Sequence, residues 1–68
     1  MMIVLNGEAH ELAQGATVEE AVAVSGARPS TRGVAVAVDG EVVPRGAWAT
    51  TELRDGQRME ILQAVQGG

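Results

Sequence analysis

Residues 6–26 read NGEAHELAQGATVEEAVAVSG, and the punctuation inside them decides the fold. Asn6-Gly7 is a dipeptide that tolerates positive φ at both central positions of a tight hairpin turn, so the chain reverses direction there. Thr17 and Glu20 then form a capping box. The Thr17 hydroxyl accepts from the Glu20 amide while the Glu20 carboxylate reaches back to the Thr17 amide, and a helix begins. Val18, Ala21, Val22 and Ser25 fall at i, i+3, i+4 and i+7, one narrow apolar stripe of about two turns. Gly26 suits the left-handed position after the last helical residue, and Pro29 confirms that the helix has ended.

Before the turn, Met2-Ile3-Val4-Leu5 is an aliphatic strand. After it, the stretch from Glu8 to Leu12 alternates loosely, as a half-exposed edge strand does. Its His10 has no cysteine or second histidine with which to share a metal and reads as a solvated strand residue. Beyond the helix, Gly33-Val34-Ala35-Val36-Ala37-Val38 places β-branched residues at alternate positions, a strand with a buried valine face and a small alanine face. Asp39-Gly40 turns it into Glu41-Val42-Val43, which Pro44 ends because it has no amide to donate. Residues 45–51 read as a surface loop anchored by Trp48. Asp55-Gly56 makes a further turn, and the last strand runs from Met59 to Ala64 with Met59 and Ile61 on one face and Leu62 and Ala64 on the other.

Strand, strand, helix, strand, strand, strand is an α+β order: one helix on one mixed sheet of about five strands. In the β-grasp arrangement of that order the first and last strands lie side by side in the middle of the sheet. The expected organisation is one domain over residues 1–65 and a flexible tail at residues 66–68. With 68 residues there is room for one small core, built from Val, Leu, Ile, Met and Ala.

Composition removes several classes of function. The chain has no cysteine, which excludes disulfides, thiolate metal sites and a catalytic thiol; the cytoplasm is the expected compartment. Five arginines, no lysine and nine acidic residues give a net charge of −4, which opposes nucleic-acid binding and excludes self-linked chains through lysine. The apolar run at the start stops at Leu5, too short for a signal sequence or a membrane span. No pair of groups suited to acid–base catalysis and no phosphate-binding glycine loop is present, so no catalytic or metal-binding residue is expected.

What remains is the end, Ala64-Val65-Gln66-Gly67-Gly68. Glycines stabilise little, so either the end is inert or its carboxylate is the working part. A terminal carboxyl group, with a pKa of roughly 3.3 to 3.7, is an anion at neutral pH and a poor target for nucleophiles. Transfer of AMP from ATP onto its oxygen makes a mixed anhydride that a sulfur or nitrogen nucleophile can open. Extended, residues 65–68 would carry the carboxylate about 13 Å from the fold. Gly67 and Gly68 keep that thread narrow enough for an enclosed active site.

MMIVLNGE at the start, VAVAVDGEVVPRGAWATTELRDGQRMEIL in the middle and AVQGG at the end resemble the small ubiquitin-like sulfur carriers of thiamine (thiazole) biosynthesis. The likeness covers nearly the whole chain. It rests on Val43-Pro44-Arg45, then Trp48 and Thr51, then Asp55-Gly56 ahead of Glu60-Ile61, as well as on the terminal glycines. Gln66 is a local departure, standing where this family often has another glycine. The resemblance implies a carrier and not an enzyme. Gly68 would be adenylated by an ATP- and magnesium-using activating enzyme and converted to a thiocarboxylate, with sulfur from a persulfide-bearing donor protein. Thiazole synthase would then receive the sulfur.

Within that reading Gly67 and Gln66 thread the tail. Leu62, Ala64 and Val65 either dock a partner or pack on neighbouring strands and under the helix; strand alternation does not choose between the two. The arginines read as solvated side chains, with pairing of Arg45 or Arg58 to acidic partner groups as the alternative. Other readings of the same chain are the small subunit of molybdopterin synthase, with the same terminal chemistry and a different recipient, a protein modifier joined to lysines of other proteins, and an interaction module with an inert tail.

Overall fold

The computed structural model describes residues 1–26 and 33–63. Strands β1 (Met2–Leu5) and β2 (Glu8–Glu11) pair antiparallel across a turn in which Asn6 has φ 49° and Gly7 φ 83°. Strands β3 (Val34–Val38) and β4 (Glu41–Val43) repeat the device, with Asp39 at φ 49° and Gly40 at φ 85°. Two left-handed residues in succession twist each turn to match its strands, so both hairpins are the tight primed kind.

The last strand, β5 (Arg58–Gln63), joins the two hairpins into one sheet. It pairs parallel with β1 through Val4↔Arg58 and Leu5↔Met59, and antiparallel with β3 from Val38↔Met59 to Val34↔Gln63. The order is β2-β1-β5-β3-β4, with the chain's final strand at the centre. Met59 and Ile61 point into the core, as their spacing implies. The expected continuation of this strand to Ala64 lies outside the described residues.

Helix α1 (Val18–Val24) lays Val18, Ala21 and Val22 against that inner face, where they meet Ile3, Leu5, Val36, Met59 and Ile61. Its first turn leaves no amide without a partner. Glu20 donates to the Thr17 hydroxyl at 3.3 Å and Thr17 donates to the Glu20 carboxylate at 3.2 Å, closing the capping box. The remaining orphans are taken by another segment: Val18 donates to the Thr51 carbonyl at 2.9 Å and Glu19 to that of Trp48 at 3.1 Å. At the other end Gly26, at φ 83°, supplies the left-handed step that ends the helix.

Residues 45–51 are exposed at Arg45, Gly46, Ala49 and Thr50, as a surface loop is, but the anchor goes deeper than expected: Arg45–Ala47 form a 3-10 turn that drives Trp48 into the core, where it is 3% exposed. The indole N–H donates to the Val43 carbonyl at 2.9 Å, so the ring's one polar atom is satisfied where it is buried, and the Arg45 guanidinium lies 5.0 Å from the ring centroid. The core is therefore not purely aliphatic. Leu53 and Ala16 follow Trp48 inward because Leu53 donates to the Ala16 carbonyl at 2.8 Å, fastening the segment to the helix start. No side chain that is polar or charged is buried among the described residues. None of their helices is long and apolar enough to cross a membrane.

Candidate functional site

The end that the sequence singles out is carried by β5, and the structure shows how that strand is held. On its β3 side the ladder is continuous from Met59 to Gln63. At its start, Asp39 acts as a clamp. Its backbone N–H donates to the Arg58 carbonyl at 2.7 Å, its carboxylate accepts from the Arg58 amide at 3.0 Å, and the Gln57 side-chain amide adds a third bond at 3.1 Å. Those donors favour the charged carboxylate. The Arg58 amide chiefly and then the Gln57 amide hold Asp39 below the usual aspartate range against the opposing effect of desolvation, with the Arg58 charge a lesser contribution.

A pH dependence follows from that direction. Because the folded state binds the Asp39 proton more weakly than the unfolded chain, this carboxylate stabilises the fold above the unfolded pKa of about 3.9, and its contribution disappears as pH falls through the lower folded value. Asp39→Asn keeps a residue that tolerates the left-handed turn but has no charge to lose. Thermal melts from about pH 6 down to about pH 2 should show the difference between wild type and variant shrinking toward the acid end. Parallel curves would exclude Asp39 as the source of acid sensitivity.

The β1 side of β5 is held differently. Backbone pairing ends at Met59, and the next rung is made by a side chain: Asn6 accepts from the Ile61 amide at 2.8 Å and donates to the Ile61 carbonyl at 3.3 Å. By local rule Asn6 is a turn residue only. The local hint was that asparagine combines tolerance of positive φ with both a donor and an acceptor.

The outer face of the sheet lies opposite the helix. Leu62, 67% exposed, sits on it beside Ala35, and Val42, 74% exposed, beside Ala37. Arg58, Glu60 and Val4 share that face, and a shallow groove runs between Val4, Asn6, Gly7, Arg58, Glu60 and Leu62. Leu62 thus does not pack under the helix. Ala64, Val65, Gln66, Gly67 and Gly68 lie outside the described residues. His10 sits half-buried on edge strand β2, and no group of three His, Cys, Asp or Glu residues able to hold a metal occurs among the described residues.

A helix packed on one face of a mixed sheet, with the chain's last strand central and parallel to the first, defines the β-grasp class to which ubiquitin-like proteins belong. Within it, the profile of the ThiS family matches residues 3–68, and the chain belongs to that family. It is 34% identical over 68 residues to the sulfur carrier protein ThiS of Escherichia coli K12, an alignment covering all of both chains. It is also 34% identical over 68 residues to part of a thiazole synthase of Paramagnetospirillum magneticum, covering all of this chain and 20% of that protein.

Among solved structures, the crystal structure of the thiamine biosynthesis protein ThiS from Geobacter metallireducens superposes with a TM-score of 0.80 at 28% identity, with both chains covered in full. The NMR solution structure of a thiamine biosynthesis protein from the same organism gives 0.78 at 28% identity, covering all of this chain and 88% of that one.

Proposed function

We propose that this chain is a sulfur carrier of thiamine biosynthesis and that the Gly68 carboxylate carries the sulfur. The observation that carries the reading is the end-to-end match to a family of sulfur carriers, reaching Gly68, on a fold whose last strand is the central one. The chain is a carrier and not a catalyst: it is consumed and regenerated as a co-substrate.

An activating enzyme that uses ATP and magnesium transfers AMP to the Gly68 carboxylate and releases pyrophosphate. The outer sulfur of a persulfide on a donor protein then displaces AMP to give an acyl disulfide, and a second thiolate attacks the donor's sulfur, forming a disulfide with it and releasing the terminal thiocarboxylate. Gly67 and Gln66 form the thread beyond the folded unit of residues 1–65. Leu62, Ala64 and Val65 contribute to docking; for Leu62 the support is its position on the open sheet face. The sulfur recipient is thiazole synthase. What favours it over molybdopterin synthase is that a segment similar to this whole chain occurs within a protein named thiazole synthase, where carrier and recipient would be joined covalently.

The test is reconstitution. Incubated with its cognate activating enzyme, ATP, magnesium, a persulfide donor and a thiol reductant, the protein should exchange one terminal oxygen for sulfur, a mass change confined to the last residue and dependent on ATP. Thiazole synthase should then consume the thiocarboxylate. A chain that is never adenylated would overturn the carrier reading, and a thiocarboxylate that molybdopterin synthase consumes in preference would overturn the recipient.

A further inference from the structure

We propose that Asn6 is a positioning residue for sulfur loading, its carboxamide serving as a detached rung of sheet that fixes the strand leading to the C-terminus; this rests on the function proposed above. Parallel pairing of β1 with β5 comprises only Val4↔Arg58 and Leu5↔Met59. The left-handed φ of 49° at Asn6 then carries the backbone of β1 away into its hairpin, after one last bond from the Asn6 amide to the Met59 carbonyl at 3.0 Å. Ile61, the next residue of β5 whose N–H and C=O face that side, would have no strand to bond. The Asn6 side chain meets both groups, at 2.8 and 3.3 Å, as a neighbouring peptide would.

A carboxamide has the donor and acceptor of a peptide unit, and asparagine is the residue that brings one to a left-handed turn position. Aspartate tolerates the turn but only accepts. Glycine makes the turn and offers nothing to Ile61. Since Ile61 is followed at once by the exposed Leu62 and Gln63, the rung is the last described hold on this strand from the β1 side. Without it the end of β5 frays, and an activating enzyme that must engage chain emerging from that strand has to order it on docking. Ordering adds to the cost of binding and not to the barrier of the bound complex.

The experiment compares wild type, Asn6→Gly, Asn6→Asp and Thr17→Ala. The last is a destabilised control at the helix cap, remote from β5. Two readouts are taken: amide exchange by NMR, and KM and kcat for pyrophosphate release by the cognate activating enzyme. For Asn6→Gly we expect exchange at Ile61 at least about tenfold faster with the Val36 and Val38 amides unchanged, and a KM raised about tenfold with kcat within about twofold. Asn6→Asp, which keeps the acceptor for the Ile61 amide, should restore that protection and part of the KM. Thr17→Ala should leave KM unchanged.

Wild-type KM in Asn6→Gly, or an equal KM rise in Thr17→Ala, would overturn the positioning role, as would unchanged exchange at Ile61. A wild-type protein that releases no pyrophosphate would instead overturn the function on which it rests, while the exchange data would still decide whether Asn6 secures the strand.

Discussion

A chain shortened by Gly68 is expected to take up no sulfur. Removing one residue withdraws the carboxylate by about 3.3 Å along an extended thread, and a displacement of about 1 Å at a reacting centre is enough to cost about a hundredfold in rate. The deleted residue has no side chain to pack, so the thermal unfolding midpoint should stay that of the full-length protein. Mass spectrometry of the last residue after incubation with the activating enzyme, ATP, magnesium, persulfide donor and a thiol reductant gives the first measurement, and a circular dichroism melt the second. Gly68→Ala, which keeps the carboxylate in place but widens the thread, should load more slowly without losing the reaction. Sulfur uptake by the shortened chain would show that the reach to Gly68 is not required and would remove Gly68 as the sulfur-carrying residue.

The second large effect falls on the fold. Trp48→Ala should unfold a substantial part of the population, because emptying a buried indole site costs about 3–5 kcal/mol. A domain of this length has a total stability of only about 3–10 kcal/mol, from roughly 0.05–0.15 kcal/mol per residue. The loss reaches beyond the cavity. The same segment supplies the Trp48 and Thr51 carbonyls that accept the Glu19 and Val18 amides, so loosening it uncaps the helix. Urea unfolding followed by far-ultraviolet circular dichroism measures the change. Trp48→Phe, which keeps a ring but leaves the Val43 carbonyl without its donor, should lose less, about 1–3 kcal/mol. A Trp48→Ala variant as stable as wild type would mean that the ring is a surface anchor after all.

These two expectations differ in how far they could be foreseen. The Gly-Gly end can be proposed from the sequence alone because a terminal carboxylate needs no neighbours within the fold to define its chemistry. The depth of Trp48 cannot, since a lone aromatic among Arg, Gly, Ala and Thr carries no periodicity. Its burial depends on a 3-10 turn that aims it at a helix some thirty residues earlier in the chain.

Where the rule is local, the sequence determined the structure. Positive φ at Asn6-Gly7 and Asp39-Gly40, the Thr17–Glu20 capping box, the left-handed stop at Gly26 and the inward Met59 and Ile61 each follow from a few adjacent residues, and all are observed. Alternation also placed Leu62 on the face opposite Met59 and Ile61, but not whether anything covered that face. Only the tertiary structure decided the rest. Asn6 and Asp39 are turn residues by local rule, yet their side chains reach Ile61 and Arg58, 55 and 19 residues away, because β5 returns between the two hairpins and presents its backbone to both. The spare hydrogen-bonding capacity of a turn side chain is written in the sequence; the backbone group that uses it is fixed only when distant strands pair.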